Sequence, residues 1–197
     1  MTSCKSDSTP STEDEVLDAA RECVLAFGAT RTTLTEIARR SGRSRPTIYS
    51  RWPDVTTLLT DLLTREMLSV MEATEPPDTG RLDARARMSH HVVAIVRALQ
   101  SDPLMCKLIE VDTELLSTYV FERLGTSQVV GLRFLEQGIR DGQADGSVRA
   151  GDRPALAAML LLVVQSFVHS GGLVSEQLPA DTLAAELHRL VDDYLRP

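Results

Sequence analysis

Thr33-Leu34-Thr35-Glu36-Ile37-Ala38-Arg39-Arg40, then Ser41-Gly42-Arg43-Ser44, then Arg45-Pro46-Thr47-Ile48-Tyr49-Ser50-Arg51-Trp52-Pro53, form one uninterrupted run in the first third of the chain. Thr33 and Glu36 have the spacing of a capping box, in which hydroxyl and carboxylate satisfy each other's orphan amides at a helix start. The helix they open is expected to reach about Arg40, where Ser41-Gly42 supplies a turn. Ser44 can cap a second short helix over residues 45–51, with Pro46 in a first turn where no intrahelical donor is lost. Two short helices joined by a glycine turn predict a helix-turn-helix, and Trp52-Pro53 closes it.

Working outward, Val16, Leu17, Ala20, Val24 and Phe27 recur at helical intervals from residue 13 on, and Gly28 supplies a stop. The Ser/Thr-rich residues 1–12 are expected to form a disordered tail. On the other side, Asp54 can cap a long helix whose apolar stripe is Leu58, Leu59, Leu62, Leu63, Met67 and Val70, ending before Pro76-Pro77. Further helices are expected over residues 81–100, a short one capped by Asp102 with Pro103 at its first position, then 114–140, 153–169 and 181–195, with a turn-rich stretch over 141–152. No alternating strand pattern competes, so the fold class is all-α. The expected division is a tail (1–12), a three-helix helix-turn-helix domain (13–53), a connecting helix (54–75) and a C-terminal helical bundle (78–197).

The 197 residues carry a net charge of −7, which by itself argues against a nucleic-acid partner. The average hides an asymmetry. Residues 30–65 hold seven arginines against Glu36, Asp54 and Asp61, a local +4 that leaves −11 on the remainder. Function is therefore sought in the basic segment. Cys4, Cys23 and Cys106 are odd in number and lack metal-type spacing, so neither a disulfide framework nor a structural metal is expected. With no secretory leader pattern, the reading is a cytoplasmic protein. The apolar run 155–164 has ten residues against the roughly 20 that span a bilayer, and reads as a buried helix.

In a helix-turn-helix the second helix lies in the major groove and its first residues meet base edges. Arg45 can donate two bonds to guanine, and Thr47 offers a hydroxyl and a methyl, so Arg45, Pro46 and Thr47 are the candidate base contacts. Thr33, Arg43, Ser44, Tyr49, Ser50 and Arg51 suit phosphate, where a hydroxyl, a cation or an exposed amide suffices. Ile37, Ala38 and Ile48 would face inward.

The run from Thr33 to Ala38, then Ser41-Gly42, then Pro46 to Pro53 resembles the N-terminal signature of TetR-type transcriptional repressors. The likeness covers about residues 13–71, and the chain length and helical remainder agree with it. Val55 stands where many members carry Lys, and Trp52 where Phe is commoner, so Arg51 or Arg43 is expected to take over one phosphate contact. The resemblance implies a homodimer whose last two helices pair across a two-fold axis, reading a palindromic double-stranded operator. It also implies a small-molecule effector, bound in the C-terminal domain, that releases the DNA. Independently, the helix over 153–169 is apolar nearly all round and asks to be covered on every side. Leu161, Val164, Val168, Leu183, Leu187, Leu190 and Tyr194 are the expected dimer contacts. The expected pocket is lined by Met67, Met71, His90, Tyr119, Phe134, Gln165, Phe167 and His169, which are large, adaptable or polar within apolar runs.

An alternative stays open at this point: a helical small-molecule-binding or protein-interaction protein whose N-terminal module does not read DNA. Residues 141–152 partly match a calcium loop, with Gly146 at the sixth position, but Gln143, Arg149 and Asp152 are poor choices at positions three, nine and twelve. His90 and His91 diverge by about 100° on a helix and make a poor metal pair. With no phosphate loop and no nucleophile motif, neither an enzyme nor a cofactor is expected.

Overall fold

A computed structural model describes residues 11–76, 80–111 and 125–197. The described elements are helices α1 (Thr12–Phe27), α2 (Leu34–Ser41), α3 (Arg45–Arg51), α4 (Val55–Ala73), α5 (Ala84–Ser101), α6 (Pro103–Val111), α7 (Thr126–Asp145), α8 (Arg153–Ser170) and α9 (Ala180–Leu195), with a 3-10 turn at Gly171–Val174. The fold is all-α, as expected. The chain divides into two compact units, the first ending at Leu62 and the second beginning at Leu63, so the division falls inside α4 and not before it.

In the first unit, α1 starts at Thr12, one residue earlier than expected, because Ser11 and Asp14 form a reciprocal capping box. Helix α2 packs on both α1 and α3. Val16, Val24, Ile37, Ile48, Leu58 and Leu62 are fully buried, each contributing about 1.5–3 kcal/mol of apolar burial. Gly42 caps α2 at φ +66, a left-handed conformation that side-chain-bearing residues resist. This turn is what lets α3 leave α2 after only three residues.

In the second unit α7 packs against α5 and α8, and α9 lies along α5. Met88, Val92, Ile95 and Leu99 of α5 meet Leu135 and Ile139 of α7, Leu156 and Leu160 of α8, and Leu187, Val191 and Leu195 of α9 in one core. Arg85 ties the start of α5 to Asp192 near the end of α9. Arg149 clasps the same end: its N–H donates to Leu195 O at 2.8 Å, its Nε to Tyr194 O at 2.8 Å, and its guanidinium lies over the Tyr194 ring.

Two boundaries in this unit differ from the sequence reading. Helix α5 begins at Ala84, because the Asp83 carboxylate accepts from Ala86 N–H. The part of the 114–140 expectation that covers residues 114–124 lies outside the described residues. Helix α7 then continues to Asp145, five residues into the stretch read as turns. It does so because Gly142 lets Val148 fold back onto it; a Cβ there would sit 2.3 Å from Val148 Cγ2. The resemblance to a calcium loop dissolves for the same reason. Asp145 spends its carboxylate on Ala84 N–H and Ser147 N–H, each at 2.9 Å, and these bonds with that of the Ser147 hydroxyl hold its pKa below the ordinary value. Finally, α8 with the turn after it is long and apolar enough, by length and composition, to cross a membrane, which the ten-residue count had not indicated. In the second unit it packs on α7 and α5.

Candidate nucleic-acid interface and ligand cavity

Helix α3 has the boundaries that its sequence predicts. Ser44 Oγ accepts from Thr47 N–H at 3.3 Å and shares a 2.8 Å bond with Thr47 Oγ1. Trp52 N–H closes the helix on Ile48 O at 2.8 Å, and the buried Trp52 indole donates to Asp61 Oδ2 at 2.8 Å, which ties the end of α3 to α4. With Ile48 turned inward, Arg45, Pro46, Thr47, Tyr49 and Ser50 form a continuous exposed face. Ser50 Oγ donates to Thr47 O, which leaves its lone pairs outward. Thr33 is exposed at the head of α2 and accepts from Glu36 N–H at 3.2 Å.

The capping box at α2 is only half made. Glu36 does not reach back to Thr33; its carboxylate takes two bonds from Arg39 and one from Arg40, at 2.7 to 3.1 Å. These arginines, Arg39 first, lower its pKa to about 2. The local charge of +4 is likewise not what the surface presents. Arg43 is paired with Glu15, and Arg51 with Glu13 at 2.9 Å, so the acidic first turns of α1 hold two of the candidate phosphate contacts. Arg31 and Arg45 make no ion pair among the described residues, and both are exposed. Thus Arg45, at the first position of α3, is the cation the fold leaves available at the reading face.

The second unit holds a partly open cavity of about 110 Å³ between α4, α5, α6, α7 and α8, walled almost wholly by apolar side chains. Of the expected lining residues, Met67, Met71, Phe134, Gln165 and His169 are there. Three are not. Tyr119 lies outside the described residues. His90 is exposed and stacks on His188, ring centroids 4.5 Å apart. Phe167 packs elsewhere against the core, its carbonyl taking a 2.7 Å bond from the Gln100 side chain. The buried histidine of α5 is His91, which does not line this cavity; its Nε2 bonds Met71 O at 2.8 Å and its ring meets Phe134 edge-on. Its position could have been read from sequence, since Met88, His91, Val92, Ile95 and Leu99 form one stripe of α5. Leu63, Ile95, Leu99 and Met105 also line the cavity; of these the sequence reading placed only Leu63, on the apolar stripe of α4.

The expected dimer contacts need a similar correction. Leu161, Val168 and Leu187 are buried within the chain itself, and Leu161, Val164 and Val168 face the cavity. Tyr194 is half-buried under Arg149, and Leu183 is half-buried near Gly171. Only Leu190 is exposed. The open apolar face of α8 belongs instead to Ala155, Ala158, Met159 and Leu162, the last two 50% and 62% exposed.

A basic helix-turn-helix with an exposed reading helix, followed by a helical unit with its own cavity, defines a helix-turn-helix DNA-binding regulator. Comparison with known proteins agrees. The sequence profile of bacterial regulatory proteins of the tetR family matches residues 16–62. An uncharacterized HTH-type transcriptional regulator of Mycobacterium bovis is 40% identical over 184 residues, 93% of this chain and 94% of that protein. Among solved structures, a TetR-family transcriptional regulator from Rhodococcus sp. superposes with a TM-score of 0.70 at 18% identity, covering 93% of this chain and 98% of that one. FadR from Bacillus subtilis, solved with stearoyl-CoA, gives 0.63 at 16% identity, covering 92% and 98%. The chain belongs to the TetR family of bacterial transcriptional regulators. It is a DNA-binding regulator and not an enzyme, which sets aside the alternative of a module that does not read DNA.

Proposed function

We propose that the protein is a homodimeric cytoplasmic repressor that leaves a palindromic operator when a small apolar molecule occupies the cavity of the second unit. The observation that carries this reading is the exposed Arg45 at the head of α3, without an ion pair among the described residues, beside Pro46 and Thr47. These three meet base edges; Thr33, Arg43, Ser44, Tyr49, Ser50 and Arg51 hold phosphates. Two copies related by a two-fold axis would address half-sites about 34–36 Å apart. The open stripe of α8 around Met159 and Leu162, with Leu190 of α9, supplies the apolar surface that a second copy would cover.

Effector control follows from one element shared by two tasks. Leu63, Met67 and Met71 of α4 wall the cavity, and α4 begins three residues after α3 ends. A molecule that moves this wall changes the separation of the reading heads, a coupling typically of about 1–3 kcal/mol. That the FadR neighbour was solved with stearoyl-CoA supports a ligand role for this cavity.

The test is fluorescence anisotropy with DNA taken from immediately upstream of the coding sequence and with unrelated DNA, at several salt concentrations. Specific binding that weakens steeply with salt is expected. Sequence-blind binding to the upstream DNA and to a genomic fragment pool alike would overturn the reading.

A further inference from the structure

The cavity is apolar along most of its wall, and its polar lining is concentrated in a few groups whose hydrogen bonds can be traced. Glu66 is paired with Arg65 at 2.8 Å. Gln128 Oε1 accepts from Gly125 N–H at 2.6 Å, and Ser127 has a partner of its own. Besides Gln128 Nε2, which has no partner among the described residues, two groups on α8 remain uncommitted. The Gln165 amide makes no hydrogen bond among the described residues. His169 Nδ1 is shielded from solvent and has no partner among them. Both belong to α8, both line the cavity, and they stand one helical turn apart on the same face.

An uncommitted polar atom out of water is costly, so most such atoms in folded proteins find a partner. Here the shielded His169 Nδ1, with the partly exposed Gln165 amide beside it, borders a space walled mainly by Leu, Val, Ile, Met and Phe side chains. A partly open cavity of about 110 Å³ has room for about seven to eleven water-sized groups, at roughly 10–15 Å³ each. We infer that the ligand of this cavity is a compact uncharged molecule of that size, apolar except for one hydroxyl-type group held between Gln165 and His169. The inference deepens the effector reading above and rests on it for its regulatory meaning.

The charge state of the site argues for a neutral head group. Burial pushes the His169 imidazole toward its neutral form, which offers one donor and one acceptor and no cation for a carboxylate. The Glu66 carboxylate on the same wall repels an anion, while its pairing with Arg65 leaves it a poor acceptor for a cation. A hydroxyl both donates and accepts, and the Gln165 amide with a neutral imidazole matches it on both counts.

The experiment is calorimetric titration of the full chain with 1-octanol, octanoate and octylammonium, which share one chain length and differ only in the head group. The wild type is compared with Gln165→Leu and His169→Phe, and retained helical circular dichroism and DNA affinity confirm that each variant is folded. The expected result is 1-octanol bound at least about tenfold more tightly than either ion, with each variant losing about fivefold or more of that affinity. An ion binding as tightly as 1-octanol, variants with unchanged 1-octanol affinity, or no binding of any probe would overturn the inference. A parallel anisotropy titration on DNA separates it from the effector reading. If 1-octanol binds with the expected head-group preference and the DNA stays bound, the ligand class stands and the effector reading falls.

Discussion

Arg45→Ala is the sharpest perturbation of the proposed reading face. The side chain is exposed and has no ion pair to lose, so the melting temperature is expected to stay within about 1 °C of wild type. A bidentate arginine–guanine contact is worth about 1–3 kcal/mol of discrimination, which is about five- to 150-fold per half-site. Arg43 and Arg51 differ, since each must leave Glu15 or Glu13 before it meets a phosphate, and the exchange of one anion for another returns less. The assay is anisotropy on sites that the wild type selects from a random pool, against scrambled DNA, across a salt series. Arg45→Ala should weaken the selected site alone and leave the slope of log K against log salt unchanged. Arg43→Ala and Arg51→Ala should weaken both DNAs and reduce the slope by about 0.9 for each phosphate no longer neutralised. If Arg45→Ala weakens scrambled DNA equally and flattens the slope, Arg45 is a phosphate contact and the assignment of base readers is refuted.

Four further outcomes are expected. Glu13→Gln combined with Glu15→Gln removes the α1 partners of Arg51 and Arg43, leaving Arg51 only the 3.8 Å approach of Asp61, so affinity for scrambled DNA should rise and its salt slope steepen; an unchanged slope would mean the α1 pairs do not restrain the arginines. Leu162→Glu, at a position 62% exposed in the single chain, should leave the helical circular dichroism intact. It should yield monomers in sedimentation, and a dimer that survives the charge would place the interface elsewhere. Gly142→Ala should destabilise thermal unfolding by about 1–3 kcal/mol, because its Cβ meets Val148 Cγ2 at 2.3 Å. Gly131→Ala, whose nearest neighbour would be Leu161 Cδ1 at 3.4 Å, should not; equal effects would refute the steric argument. Glu36 has a folded pKa of about 2 against the ordinary 4.5, so the stability it provides is present above pH 4.5 and lost as the pH falls towards 2. Carboxyl-resolved NMR should show its titration midpoint well below the usual range, and Glu36→Gln should remove that part of the acid dependence.

The first unit was largely legible in the sequence because its signals are local. Ser44, Pro46 and Trp52-Pro53 mark both ends of α3 within a few residues, and Gly42 marks the turn. The pairings of α1 with the basic segment were not legible, since Glu15 and Arg43 are 28 residues apart and Glu13 and Arg51 are 38 apart. Charge counting within a window treats those arginines as free. In the second unit, Met67, Met71, Phe134, Gln165 and His169 could be found because each interrupts or enlarges an apolar stripe. His90 was misplaced because the adjacent His91, and not His90, shares the buried stripe of Met88 and Ile95, and neither lines the cavity.

Helix α8 was misread for a physical reason: when every face is apolar, hydrophobicity cannot say which face points where. The structure separates two destinations. Leu156, Leu160, Leu161 and Val168 turn into the unit, whereas Ala155, Ala158, Met159 and Leu162 turn out. The length and composition of α8 also pass for a membrane span, and the outward face discriminates between the two uses. A lipid-facing surface must stay apolar over roughly 30 Å. The outward stripe runs from Ala155 to Leu162, about 10 Å at 1.5 Å per residue, and then gives way to the exposed Ser166 and Ser170. A stripe two turns long, with Arg153 at one end and serines beyond the other, is too short for a bilayer and matches the contact length of one helix crossing another. Its apolar character is therefore a demand for a protein partner, which the proposed dimer would meet with a second copy of α8 through the same two turns.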